Sequence, residues 1–161
     1  MGAEMNAKIL IVDDHAIVRE GIRTLLTRLR PEWEIVGEAA SGLEALAAIP
    51  TLDPDVVIMD ITMPGMSGLE ASTRVSKAGS HSKILMFTMH DAPSLKDEVR
   101  AAGAQGFVLK SQGTRDLVTA IEKLLAGGTF YGAPSMSAED DGNGKKGGAL
   151  LRLALRLSPA F

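Results

Sequence analysis

Cysteine is absent from the chain, which excludes disulfides, thiolate metal sites and thiol nucleophiles. Aromatic residues are scarce, at one Trp, one Tyr and four Phe, so a core has to be built from Ala, Val, Leu, Ile and Met. No apolar run approaches the roughly 20 residues of a membrane-spanning helix, and the N-terminus lacks a signal-peptide pattern. The expectation is a cytoplasmic protein with no membrane contact. A basic balance is missing as well. Residues 1–136 hold 13 Lys/Arg against 17 Asp/Glu, leaving −4, while the remainder carries +1, for a net −3. An acidic main domain argues against direct nucleic-acid binding by that part. What is present is 161 residues, 45% hydrophobic and 23% charged, enough for one domain with a real core.

Short apolar runs alternate with segments of helical period. The strand candidates are residues 8–13, 33–39, 56–60, 83–88 and 106–109, continuously apolar or β-branched as in strands covered on both faces. Helices are predicted near 16–29, 42–49, 68–77, 94–102 and 114–126. The first places Ile17, Ile22, Leu25, Leu26 and Leu29 on one broad face, and the last places Leu117, Val118, Ile121, Leu124 and Leu125 likewise. Ser41 to Glu44 and Ser67 to Glu70 both read as capping boxes, and Gly127-Gly128 stops the fifth helix. Five βα units imply an α/β fold with a five-stranded, parallel, doubly wound sheet and right-handed crossovers.

In such sheets, sites form at the carboxyl ends of the strands, near the switch in strand order. Asp60 closes the run Val56-Val57-Ile58-Met59 and is followed by a loop through Pro64-Gly65; Asp13 and Asp14 close Ile9-Leu10-Ile11-Val12. Like charges do not gather at one sheet edge for stability, so these acids need a cation. Thr88 and Lys110 end the fourth and fifth strand candidates. All of these side chains are expected to converge.

Val12-Asp13-Asp14-His15, Met59-Asp60 running on to Met63-Pro64-Gly65-Met66-Ser67-Gly68, Phe87-Thr88 and Val108-Leu109-Lys110 together resemble the receiver domain of bacterial two-component response regulators. The stretch Asp13-Asp14-His15 with Ile17-Val18-Arg19-Glu20-Gly21 is similar to the LuxR/NarL/FixJ-type subfamily, whose output is a helix-turn-helix. The resemblance implies a flavodoxin-like sheet of order 2-1-3-4-5. It implies Asp60 as phosphoacceptor, a carboxylate nucleophile forming an acyl phosphate, with Thr88 and Lys110 contacting the phosphoryl oxygens. Mg²⁺ would be held by Asp13, Asp14, Asp60 and the backbone carbonyl of Thr62, since Mg²⁺ prefers oxygen ligands and keeps several waters. Thr88 and Phe107 would form the conformational switch, and Thr62 and His90 would tune phosphoryl lifetime. The implied donor is a sensor histidine kinase, and a homodimer on phosphorylation is implied through the fourth and fifth helices or the first and fifth. DNA would be reached only through a helix-turn-helix output domain that this chain lacks. The domain would not be an enzyme beyond its own phosphorylation and dephosphorylation.

The expected layout is an extension over 1–6, a receiver over 7–130, a linker over 131–148 and a segment over 149–161 leading towards the output domain. Residues 150–157 fit an alternating strand and a helix face equally. Phe107 reads either as core or as switch, without the hydroxyl of a tyrosine. His15 reads as a rim residue, because Mg²⁺ prefers oxygen. Ser111 stands where many receivers carry proline. Three other classes compete: a phosphorylation-independent interaction module, a flavodoxin-like cofactor binder and an aspartyl-phosphate phosphatase. The cofactor binder would want a phosphate-cradling Gly/Ser/Thr loop after the first strand, where Asp13-Asp14 stands. The phosphatase would carry an acid at position 62, where a leaving group is protonated, and Thr62 stands there.

Overall fold

The computed structural model describes residues 6–89, 91–112 and 115–132. The expectations for His90, for residues 1–5 and for 133–161 lie outside them. The chain alternates strictly between β1 (Lys8–Val12), α1 (Ala16–Leu29), β2 (Glu34–Ala39), α2 (Gly42–Leu52), β3 (Val56–Met59), α3 (Gly68–Lys77), β4 (Lys83–Thr88), α4 (Leu95–Ala101), β5 (Gly106–Leu109), α5 (Arg115–Leu125) and β6 (Phe130–Tyr131). The sheet is parallel throughout, in the order β2-β1-β3-β4-β5-β6. The predicted five-strand order is its core.

The sixth strand was not foreseen. Two residues are too short to show a strand period, yet Phe130 and Tyr131 pair with Gly106 and Phe107. Gly106 makes this possible, because a Cβ there would lie 2.1 Å from the Phe130 carbonyl oxygen. The other boundaries move by a residue or so, except that α2 runs past the predicted end at 49. Pro50 does not stop it. A missing N–H in the last turn forfeits one bond, and the Asp53 N–H still reaches the Ile49 carbonyl at 2.8 Å.

Period-two alternation splits the strands between two layers. Leu10, Val12, Val57, Met59, Ile84, Met86, Phe107 and Leu109 face α2, α3 and α4. Ile9, Ile11, Val56, Ile58, Leu85, Phe87 and Val108 face α1 and α5. Helix α5 inserts Leu117, Val118, Ala120, Ile121 and Leu124. Helix α1 is narrower than its sequence suggested: Ile22 and Leu26 are buried, whereas Ile17 is 79% exposed and Leu29 42%. Ser41 and Ser67 cap as expected, each hydroxyl accepting the N–H three residues on at 3.1 Å. Only the first box closes from the other side, through Glu44 and the Ala40 N–H at 2.7 Å; Glu70 turns to Arg74 instead.

Candidate functional site

Register alone brings the acids together. Val12 pairs with Met59, and Met59 with Met86, so the next residues, Asp13 and Asp60, leave adjacent strands side by side. The Asp60 N–H donates to the Val12 carbonyl at 3.0 Å. Both carboxylates continue the row that faces α1 and α5, and Lys110, two residues past Val108, reaches back into that row. Its Nζ lies 3.0 Å from Asp13 Oδ2 and 3.6 Å from Asp60 Oδ2, and 5.7 Å from the Phe87 ring centroid. The three side chains are buried or nearly so.

Asp13, Asp14, His15 and Asp60 each offer a ligand atom within 4.8 Å of the others. Asp13 Oδ1 accepts the His15 N–H at 2.8 Å, a local turn that precedes α1; no described side chain caps the helix itself. Among the described residues Asp14 Oδ1 is buried with no hydrogen-bond partner, although His15 Nδ1 approaches it to 3.3 Å outside hydrogen-bond geometry. A buried carboxylate oxygen without a partner is costly unless a cation reaches it. The donor set is oxygen-rich, so these residues fit a hard divalent cation.

Burial pushes the Asp60 carboxyl above its ordinary value, and the neighbouring Asp13 charge pushes the same way; Lys110 and the Thr62 N–H pull it back. The Thr62 N–H lies 3.4 Å from Asp60 Oδ1. Gly68 fixes the loop after Asp60: its N–H donates to the Ile61 carbonyl at 2.8 Å, and a Cβ would sit 2.2 Å from the Asp60 carbonyl oxygen. Helix α3 can thus begin directly against the acid's own peptide.

Asp13, Asp14, Asp60 and Lys110 therefore meet as the sequence suggested. Thr88 is buried at the end of β4, but strand parity puts it on the α2–α4 side with Phe107 and Leu109. Phe107 lies away from the acids, its ring 6.3 Å from that of Tyr131. Thr62 is exposed at the loop. His15 lies at the rim as expected, its side chain largely exposed and its Nδ1 3.2 Å from Asp13 Oδ1. Sequence reasoning missed one neighbour, Arg19, whose Nη1 donates to the Asp13 carbonyl at 2.6 Å.

A doubly wound parallel sheet that gathers an acid cluster and the half-buried Lys110 at the carboxyl ends of β1, β3 and β5 has the architecture of a signalling receiver module. The chain belongs to the response regulator receiver domain family, whose model matches residues 9–122. It is 39% identical over 119 residues to the response regulator UvrY of Escherichia coli (strain K12), covering 74% of this chain and 54% of that protein. The chain thus spans about half the length of the curated relatives it matches. A LuxR-family two-component response regulator from Aurantimonas sp. SI85-9A1 superposes with a TM-score of 0.76 at 38% identity, covering 92% of this chain and 99% of that one. A structure of two RcsB dimers bound to two parallel DNAs gives 0.74 at 30% identity, covering 83% and 66%. The protein is a receiver domain of a two-component response regulator. Receiver domains are signalling modules, and no helix among the described residues is long and apolar enough to cross a membrane.

Proposed function

We propose that this receiver, spanning residues 7–130, accepts a phosphoryl group on Asp60 from a sensor histidine kinase in the cytoplasm, and that the charge so added changes its contacts with an output domain. The observation that carries the reading is the buried Asp60 carboxylate beside Asp13, with Lys110 Nζ at 3.6 Å. Asp60 Oδ attacks phosphorus, the bond from phosphorus to the donor imidazole nitrogen breaks, and the imidazole leaves with that electron pair. Asp13, Asp14, Asp60 and the Thr62 carbonyl would hold Mg²⁺, which supplies compensation for the carboxylates and the incoming phosphoryl oxygens. Lys110 adds a fixed cation to those oxygens, and Thr88, at the end of the adjacent strand β4, would supply a hydroxyl donor by moving toward them from the α2–α4 side. Thr62, two residues past Asp60, would tune the lifetime of the phosphoryl group, and the same role is proposed for His90 from its sequence position alone, two residues past Thr88 and outside the described residues.

Parity supports Thr88 as the reporter, since it shares its sheet face with Phe107 and α4. Helix α4 buries only Leu95 and Val99, whereas α5, on the other side of β5, buries five residues. A thinly anchored helix suits a two-state element. Lys96 and Arg100 of α4 lie 6.0 and 5.6 Å from the Tyr131 ring centroid, so a shift of α4 reaches β6, and with it the start of the linker over 131–148. Dimerisation and DNA binding through an output domain beyond residues 149–161 are proposed by analogy with the RcsB dimers on DNA.

The test is incubation with Mg²⁺ and acetyl phosphate, read by intact mass. The protein should gain one phosphoryl group and Asp60→Asn none. Full labelling of Asp60→Asn would overturn the assignment.

A further inference from the structure

The chemistry proposed above uses the side chains of Asp13 and Asp14; the backbone of Asp13 is itself held on both sides. The Asp13 N–H donates to the Ala39 carbonyl at 3.1 Å, one step beyond the last β1–β2 pair. The Asp13 carbonyl lies past the end of β2 and has no strand partner to take it. Arg19 Nη1 fills that place at 2.6 Å. The guanidinium is not a loose surface group: its side chain is 18% exposed, and its Nε donates to Glu38 Oε1 at 2.9 Å. Glu38 is gripped on its other oxygen by Arg23 Nε at 2.7 Å, one turn further along α1. The Arg19 N–H in turn donates to the His15 carbonyl at 3.1 Å, so the arginine springs from the first turn after the acid loop.

We infer that Arg19, braced by Glu38 and Arg23, is a positioning residue that locks the Asp13–Asp14 peptide so that both carboxylates present to the divalent cation. The inference rests on the reading of this cluster as a metal site. Asp13 has its own N–H held by the Ala39 carbonyl and its own C=O held by Arg19, so the peptides on either side of it are each anchored, and the direction in which the chain delivers Asp14 is set before the cation arrives. Groups that orient metal ligands in this way typically contribute about 10–100-fold to affinity. The planar fork of arginine matters, because one cation here serves a carbonyl and a carboxylate at once. An ammonium at the same place carries the charge without the fork.

The experiment measures Mg²⁺ affinity by amide-shift titration with no phosphodonor present, alongside acetyl phosphate labelling across a range of Mg²⁺. Arg19→Ala should weaken Mg²⁺ binding about tenfold, with labelling recovered by raising Mg²⁺. Arg19→Lys should fall between that variant and the wild type. Glu38→Ala should weaken binding less than Arg19→Ala does, and Glu38→Gln, which keeps an acceptor, should restore it. The inference is overturned if Arg19→Ala binds Mg²⁺ like the wild type. It is equally overturned if Arg19→Lys recovers full affinity, since charge alone would then account for the effect, or if the loss persists at saturating Mg²⁺, which marks a general defect. Wild type that binds Mg²⁺ but takes no phosphoryl group would sink the phosphoacceptor reading while leaving the role of Arg19 standing.

Discussion

The two ends of the sheet are built on opposite terms. At the amino end, polar groups find partners. Asp55 accepts the Lys8 N–H on its carboxylate at 2.8 Å, while its own N–H and C=O bridge Lys8 and Lys83 at 2.8 and 2.9 Å. The buried Ser82 hydroxyl donates to the Pro54 carbonyl at 2.6 Å. Gln105 takes the Ile84 N–H on its side-chain oxygen at 2.7 Å and donates its amide to the Gly103 carbonyl at 3.1 Å. At the carboxyl end, Asp13 and Asp60 crowd Lys110, an oxygen of Asp14 has no hydrogen bond among the described residues, and burial raises the Asp60 pKa. One end holds the strands together. The other stays electrostatically unfinished, so that a cation or a phosphoryl group changes its energy by a large amount.

If that contrast is right, the largest effect comes from removing Lys110, whose ammonium faces both Asp13 and Asp60. Lys110→Ala leaves the acids uncompensated and should destabilise the metal-free domain by about 3 kcal/mol, as breaking a buried ion pair does. Added Mg²⁺ should recover much of the loss. Urea unfolding with and without Mg²⁺ checks this, and a loss indifferent to Mg²⁺ breaks the comparison. The opposite end supplies the control. Ser82→Ala strands the Pro54 carbonyl and should cost about 2 kcal/mol, with the same loss at every Mg²⁺ concentration.

A smaller effect has the opposite sign. Asp60→Asn removes a charge that the fold disfavours, so it should raise Tm at neutral pH in chelator-treated protein. The folded pKa of Asp60 lies above its unfolded value, so its contribution to stability is greatest below the unfolded pKa and is lost as pH rises through the folded pKa. The Tm advantage of Asp60→Asn should therefore grow from acid pH upward through and just above the ordinary carboxylate range, then level off. Thermal melts across that range decide it; an advantage that is constant with pH refutes the cause given.

The crowded end was the more legible of the two in the sequence. Asp13, Asp14, Asp60 and Lys110 each terminate an apolar run, and a parallel sheet converts run ends into one edge, so convergence followed from counting strands. Arg19 and Glu38 escaped because their meeting depends on how α1 packs beside β2, which no local pattern encodes. β6 escaped because two residues carry no period, and its pairing hangs on the close approach that Gly106 permits. The broad apolar face expected for α1 was overstated: a 3.6-residue repeat marks Ile17 and Leu29 as candidates, but only the packing of α1 against β1 and β2 decides which of them lose water. The stitched amino end was invisible for the same reason. Asp55, Ser82 and Gln105 look like ordinary loop residues until the turns that carry them are brought side by side.

The smallest prediction concerns a pair at the amino end that looks important and should not be. His81 Nε2 and Asp53 Oδ1 are in hydrogen-bond contact, with side chains 59% and 64% exposed. Exposed pairs contribute about 0–1 kcal/mol, so His81→Ala should change stability by less than about 0.5 kcal/mol. Asp53 has a separate reason to be there, since it closes α2 in the left-handed conformation at φ 52°. Aspartate tolerates that region better than most side chains, and glycine adopts it freely. Asp53→Gly should accordingly be near neutral although it deletes the contact, whereas Asp53→Ala should cost about 1 kcal/mol although it deletes the same contact. If chemical denaturation instead ranks both Asp53 variants with a comparable loss, the carboxylate itself stitches the amino end and the surface pair has been undervalued. If the two separate, it is backbone geometry that holds that corner, and the amino end owes its stability to groups that are buried and hydrogen-bonded rather than to charges facing water.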